Sequence, residues 1–532
     1  SVTTLVSFLA VHQRSHSDFN LLKRLEWIPY DARMRAAASL EREVSPRLGG
    51  VFIDDQSIES LNQSEGLTFP WPRNKYALVL DELTACGADV VGFDILFSEL
   101  HSESYVALAD GSAAPADQIF TDSLRTNGNA ILAAMEGLYP HDEFRSAALG
   151  VGDISADSDA DGVLRRFKPF KLYRDWHPLL SAAAIEYQLD LKSFELKDAE
   201  LVIRQMISGQ EIVIPLDDQG RVNLEKLTGN PVEPGQSPLV KPFEMRRVWH
   251  LGMVLAARLM GVDLEQAAIE PNQIILTDRD GGTRIMPLDS EGYTEIAWAI
   301  RTDDSALSQS PFIAILKQAE ERRQGLPIDP RLEEKWKGKL VVIGSTASGN
   351  NITGIGSTSL EKQSFLVSKH WNVANGLLTG VFVARPGIGL ELMLIIVLGI
   401  GSAFVTSKYK APWPTLWISL AAAAYLGIAF AMFMIRLYWL PIILPVFGAV
   451  FLNHLSVEFY RRLFDQKEKR RVKSVFSKLV SPNVVNKMLD SDELNLGGSR
   501  LRVTISFADV RGFTGMTDEF TTGAEEFIRE HK

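Results

Sequence analysis

The sequence predicts an α/β domain, an α-helical transmembrane bundle after it, and a strand, turn and helix at the C-terminal end. Three observations point there. Between about residues 20 and 385, short apolar runs closed by turn residues alternate with stretches of helical spacing. From Pro386 to Phe459 apolar residues dominate, in three successive stretches near the ~20 residues that cross ~30 Å of hydrocarbon. From Arg502 an alternating pattern closes on Asp509, with Gly512 just beyond. A chain of 532 residues exceeds one hydrophobic core, so two or more domains are expected. Its formal net charge of −11 argues against the basic face that nucleic-acid binding needs, so no nucleic-acid partner is expected.

Residues 1–12, opening "SVTTLVSFLAV", are apolar but only about half a span long. They read as the end of a first transmembrane helix whose beginning is missing, which sets the true N-terminus in the cytoplasm. A cleaved signal peptide competes, but neither a positive n-region nor a small-residue cleavage site is visible.

In the α/β region, "GGVFIDD" (49–55), "ADVVGFDILF" (88–97), "NAILAAM" (129–135) and "GKLVVIGST" (338–346) read as buried parallel strands. Between the first two, Tyr76, Leu78, Val79, Leu80 and Leu83 recur at helical spacing up to Gly87, which makes a β-α-β unit. Asp54, Asp55, Asp94, Ser345 and Thr346 fall at strand C-terminal ends, where ligands bind in open α/β sheets. Asp54, Asp55 and Asp94 are therefore a candidate pocket, with loop capping as the competing account. The single cysteine, Cys86, excludes an intramolecular disulfide and reads as a small buried hydrophobe. In "DSDADGVLRRFK" (157–168), Asp157, Asp159, Asp161 and Gly162 match half a calcium loop, but Lys168 stands where a bidentate acid is required. A turn entering "VLRRF" is expected instead. A hydrolase using Asp54, Asp94 or Asp161 lacks any visible nucleophile-plus-base arrangement.

The three spans are expected at 387–406, 414–435 and 437–455. Pro412, Pro414, Pro441 and Pro445 lie near their ends, and Trp413, Trp417, Tyr438 and Trp439 suit an aromatic belt. Glu391 is the acid within a span, expected to snorkel or pair. Lys408, Lys410 and the basic run "YRRLFDQKEKRRVK" belong in the cytoplasm, so the segment before Arg385 is expected outside. In a linker helix over 460–493, Leu463, Val472, Val475, Phe476, Leu479 and Val480 form a stripe suited to pairing with its copy in a dimer. A solvated linker is the alternative.

In "RVTISFADV", Val503, Ile505 and Phe507 alternate with Thr504, Ser506 and Ala508, and Asp509 falls on the apolar parity at the strand's end. A carboxylate there is costly unless cations or donors meet it, as a bound Mg²⁺ would. Gly512 permits a tight turn, and Thr514 or Thr517 is placed to cap a helix whose first amides favour phosphate.

"WIPYDARMR" (27–35), "FIDDQSI" (52–58), "FPWPRNKYALVLDEL" (69–83), "GADVVGFDILFSE" (87–99), "DADGVLRRF" (159–167) and "GKLVVIGSTA" (338–347), in this order, resemble the extracytoplasmic CHASE domain of the second type. The resemblance spans roughly residues 20–385. It implies a periplasmic or extracellular sensor of the kind joined in bacterial proteins to nucleotide cyclases, histidine kinases or protein kinases, and it implies no particular ligand. His370 and Asn375 stand where that family often has similar residues, and no ligand role is assigned to them.

"LNLGGSRLRVTISFADVRGFTGMT" (494–517) resembles the start of the class III adenylate/guanylate cyclase domain, an α+β domain of ferredoxin-like fold. "VFSKLVSPNVVNKML" (475–489) resembles the segment that precedes it. The resemblance implies that Asp509 ligates two Mg²⁺ or Mn²⁺ ions with help from the Val510 carbonyl. It places the amides of Gly512, Phe513 and Thr514 near the triphosphate of ATP or GTP. Such enzymes convert the nucleotide to its cyclic form and pyrophosphate, as head-to-tail homodimers. Their second metal-binding aspartate and base-selecting residues would fall beyond Lys532, and Asp518 and Glu519 follow too closely to replace it. The chain is thus expected to be an inactive part of a multi-pass receptor of the inner (plasma) membrane. The alternative is a non-catalytic receptor with a vestigial cyclase segment.

Overall fold

The apolar runs of the α/β region become strands of one parallel sheet. The computed structural model describes residues 2–15, 21–40, 42–101, 104–107, 111–228, 237–348, 353–476, 502 and 504–531. Two units form, Ser1–Glu458 and Phe459–Lys532. The first opens with helices α1 (Val2–Ser15) and α2 (Leu21–Ala38). Its sheet contains β1 (Leu48–Ile53), β2 (Val90–Phe93), β3 (Ala130–Ala134), β4 (Gly150–Asp153), β5 (Ser308–Pro311) and β6 (Leu340–Ser345). Their order is β5-β1-β6-β2-β3-β4, every pair parallel. The expected β-α-β unit is therefore split, because β6 inserts between β1 and β2. Strand β5, "SQSP", has no apolar run, and its proline is tolerated because it lies at the sheet's edge.

Strand side chains alternate between faces, so each strand feeds two cores. Val51, Ile53, Val91, Phe93, Leu132, Val341 and Ile343 join a core with Trp71, Tyr76, Phe97, Phe120, Phe144 and Phe312. Helices α3 (Asp55–Glu65), α4 (Asn74–Ala85) and α5 (Ala116–Asn127) lie on that side. Leu48, Phe52, Val90, Ile131, Leu340 and Val342 join the opposite core with Trp249, Leu255, Trp298 and Trp371. That face is covered by α6 (Leu251–Met260), while α7 (Phe312–Arg323) belongs to the first layer and α8 (Ser368–Thr379) packs on α6. Gly252 permits this crossing: a Cβ there would stand 2.4 Å from the His370 carbonyl oxygen.

Among the described residues, three helices are long and apolar enough to cross a membrane: Ile388–Lys408 (α9), Trp413–Arg436 (α10) and Ile443–Phe464. The last begins as a π-helical stretch, Ile443–Leu452, and continues into α11 (Asn453–Phe476). It starts at Ile443 rather than at residue 437. The cause is long-range: the Ala384 N–H donates to the Leu437 carbonyl (3.1 Å) and the Trp439 N–H to the Ala384 carbonyl (2.8 Å), drawing this backbone out of the helix. Helix α1 packs on the bundle through Val6 and Ala10 against Ile395, Leu444 and Ala449. A Cβ on Gly399 would stand 2.6 Å from Thr3, and one on Gly448 2.9 Å from Val6, the small-residue contact of membrane helices. Glu391 is buried, and Ser402 and Asn453 donate to the carbonyls of Val450 (2.8 Å) and Gly399 (2.6 Å).

In the second unit, residues 477–501 and Val503 lie outside the described residues, and with them the second half of the 460–493 linker and the start of the 494–517 motif. The expected strand is not formed: residues 504–510 are irregular and exposed. No described strand pairs with them, and a lone strand leaves its backbone groups without a ladder. Helix α12 (Phe513–Glu530) does form, and it buries none of its residues.

Candidate functional site

The carboxyl edge of the sheet divides the candidate residues into two kinds. Asp54 caps α3 by accepting the Ser57 N–H at 2.8 Å, and Asp55 accepts the Ser348 N–H at 2.8 Å. Ser345 Oγ lies 2.7 Å from Thr353 Oγ1. These fasten loops. Asp94, just past β2, instead faces His370, whose Nε2 is 3.5 Å from its Oδ1.

His370 occupies the first turn of α8 and is fully buried. Its ring stacks at 38° on that of His250, centroids 5.1 Å apart. His250 precedes α6 and caps it, Nδ1 accepting the Gly252 N–H at 3.2 Å, which leaves its proton on Nε2. Beside them Lys369 donates to the Ile154 carbonyl at 2.6 Å. At the end of β4, Asp153 accepts from Ser155 Oγ at 2.7 and 2.8 Å and from the Tyr173 hydroxyl. Lys171 reaches Ser155 at 2.5 Å and Asp157 at 2.7 Å. One polar cluster thus joins the ends of β2 and β4 to the first turns of α6 and α8.

Burial dominates its electrostatics. It pushes both imidazoles below their usual range, and for His250 the neighbouring His370 and Lys369 push the same way. Burial likewise lowers Lys369. For Asp94, burial acts upward but is outweighed by His370 and Lys369, so its carboxyl titrates below the usual range. His250 Nε2 and His370 Nδ1 have no hydrogen-bond partner among the described residues, and His370 Nε2 has only the 3.5 Å approach to Asp94, although both rings are buried. Unsatisfied buried polar atoms are uncommon and call for a physical explanation. The arrangement sets a carboxylate, two imidazoles and an ammonium group side by side. Among the described residues, no three His, Cys, Asp or Glu side chains are disposed to hold a metal ion.

Sequence reasoning found Asp94 but missed His250, Lys369, Asp153, Lys171 and Tyr173, and it assigned His370 no role. Asp153 carried a usable signal, since it ends the run "GVGD" as Asp94 ends "VVGFD". The histidines carried none, because only the crossing of α6 and α8 brings them together. Asn375 is a fastener, accepting the Ser45 N–H at 2.8 Å.

The turn that half-matches a calcium loop is filled by arginines. Arg165 binds Asp31 (2.7 Å), Asp159 (3.2 Å) and Asp161 (2.8 Å), and Arg166 binds Asp159 and Asp289 at 2.8 Å each. Asp31 belongs to α2, and the opposite end of this connection runs to the spans. Glu26 of α2 accepts the N–H groups of Ile442 (2.9 Å) and Ile443 (2.8 Å), capping the third span, while Arg33 donates to the Leu440 carbonyl at 2.9 Å. Cys86 is buried with its thiol pushed up to about 12, by burial first and then by Glu82.

At the C-terminal motif, Asp509 and Val510 are exposed, and the Val510 carbonyl accepts the Phe513 N–H at 3.1 Å. Gly512 takes φ +84° and precedes α12 without any side-chain cap. Thr514 and Thr517 therefore do not cap it; both lie within the helix, and Thr517 Oγ1 donates to the Phe513 carbonyl at 2.6 Å. Asp518 and Glu519 are exposed on α12. Among the described residues, no group of three or more His, Cys, Asp or Glu side chains forms around Asp509.

A model of the CHASE2 domain family matches residues 2–404. No curated protein and no solved structure matches the chain.

Proposed function

The chain belongs to the CHASE2 domain family, and on that premise we propose that it is a plasma-membrane receptor whose extracytoplasmic sensor controls a cytoplasmic class III cyclase. The sensor takes a small polar ligand at the Asp94–His370–His250 cluster. The output converts ATP or GTP to a cyclic nucleotide and pyrophosphate, in a homodimer. Two buried imidazoles at the carboxyl edge of a parallel sheet, with His250 Nε2 and His370 Nδ1 lacking hydrogen bonds and His370 Nε2 facing Asp94, carry the sensing half. The cyclase half rests on the resemblance of residues 494–517, with Asp509 as the metal-facing residue and Gly512 to Thr514 toward the phosphates.

Asp509→Ala in the full-length protein tests the output. Cyclic-nucleotide formation in membranes supplied with Mg²⁺ or Mn²⁺ should be abolished at unchanged expression, and retained activity removes this residue from the site. The irregular, exposed state of residues 504–510 favours a second reading, a receptor without enzymatic work of its own. That reading predicts no cyclic nucleotide from the wild-type full-length protein in the same assay.

A further inference from the structure

Helix α2 exposes an apolar stripe although its other face is already packed. Its buried face carries Glu26 and Arg33, 7% and 2% exposed, together with Trp27, Tyr30, Met34 and Ala37. Its outward face carries Leu21, Leu25 and Ile28, exposed by 62, 38 and 67%, and Ala32 continues the stripe at helical spacing. A helix bathed by water turns polar residues outward, because exposing leucine and isoleucine in a row forfeits ~25 cal/mol for each Å² of apolar surface left wet.

Contacts fix the level at which this stripe sits. Tyr30 packs edge-on to Phe433 in the last turn of α10 (centroids 5.6 Å) and against Trp439 at 4.2 Å. Glu26 caps the first turn of the third span, and Arg33 lies 5.2 Å over the Phe433 ring. Span ends and belt aromatics sit where hydrocarbon gives way to headgroups. Near the same end of α10, Phe430, Met432 and Ile435 are likewise exposed apolar side chains.

We propose that α2 lies in the sensor-side membrane interface with Leu21, Leu25 and Ile28 in contact with lipid. The partner is the bilayer itself, and this holds whether or not the output is a cyclase. Lipid pressing on the outer face of α2 acts on the same helix whose inner face holds Arg165 through Asp31 and caps the third span through Glu26. The sensor is thereby coupled to its spans through an element that the membrane also touches.

Ile28→Cys in the full chain, spin-labelled and reconstituted in phosphatidylcholine/phosphatidylglycerol nanodiscs, tests this; Cys86 can stay because it is buried. Collision with dissolved oxygen should exceed collision with an aqueous nickel chelate several-fold, and Leu25→Cys should repeat the result. Asp218→Cys, on an exposed turn, should show the reverse. Nickel accessibility at residue 28 equal to that at residue 218 overturns the proposal. So does shielding from both reagents with spin–spin broadening relieved by unlabelled protein, which would put a second copy over the stripe.

Discussion

"GKLVVIGST" and "RVTISFADV" carry comparable strand signals, yet only the first is a strand. The difference lies in their surroundings. β6 is paired on both sides, with β1 and β2, and all six of its residues are buried between two helix layers. Residues 504–510 have no described strand beside them, and Phe507 is 95% exposed. A β pattern in sequence is an offer of one face and two edges, and it becomes structure only where other segments take them. Helix α12 forms without such partners because its hydrogen bonds close within the segment.

Paired substitutions sharpen the contrast. The largest effect is expected from Phe97→Ala, since that ring is fully buried and meets Tyr76, Phe93, Phe120 and Phe144 at centroid distances of 4.9–6.3 Å or within that range. About 3–5 kcal/mol should be lost in denaturant unfolding followed by tryptophan fluorescence. Gly252→Ala should cost about 1–3 kcal/mol by the same measurement, because its methyl group must displace the α8 backbone rather than a flexible side chain.

The next effect is one of pH. His250 and His370 are both held below their usual range in the folded protein, so between that lowered value and about 6.5 only the unfolded chain takes up their protons. Stability should therefore fall as pH drops below about 6.5, by up to about 1.4 kcal/mol per pH unit for each histidine. Asp94, also lowered, contributes only below about 4, where the unfolded carboxyl becomes protonated. His250→Asn combined with His370→Gln should flatten the slope of melting temperature between pH 5 and 6.5; an unchanged slope would remove the pair from the linkage. The smallest effect is expected from Phe507→Ala, within about 0.5 kcal/mol. A loss comparable with that of Phe97→Ala would show that residues 504–510 pack after all and would break the comparison.

Legibility followed the same line. The four apolar runs, the helix ending before Gly87 and the first two spans were readable because each is written in consecutive residues. Asp94 was readable as an acid at a strand end. Its partners were not: His250 and His370 stand far apart in the chain and meet where α6 and α8 cross at Gly252. The aspartates of the calcium-like turn showed their spacing in sequence but not that Arg165 and Arg166 occupy them. That the third helix begins only at Ile443 was not readable, because Ala384, a distant residue, holds the backbone at Leu437 and Trp439.

By itself the sequence determined which segments are apolar on two faces, which are long enough to span a bilayer, and which acids close a strand. These properties depend on the nature and spacing of neighbouring side chains. Only the tertiary structure decided that β6 lies between β1 and β2, that two histidines share a buried site, and that α2 buries Glu26 and Arg33 while exposing Leu21, Leu25 and Ile28. Each of these pairs groups remote in the chain, and the free energy that selects them arises only when both are desolvated together.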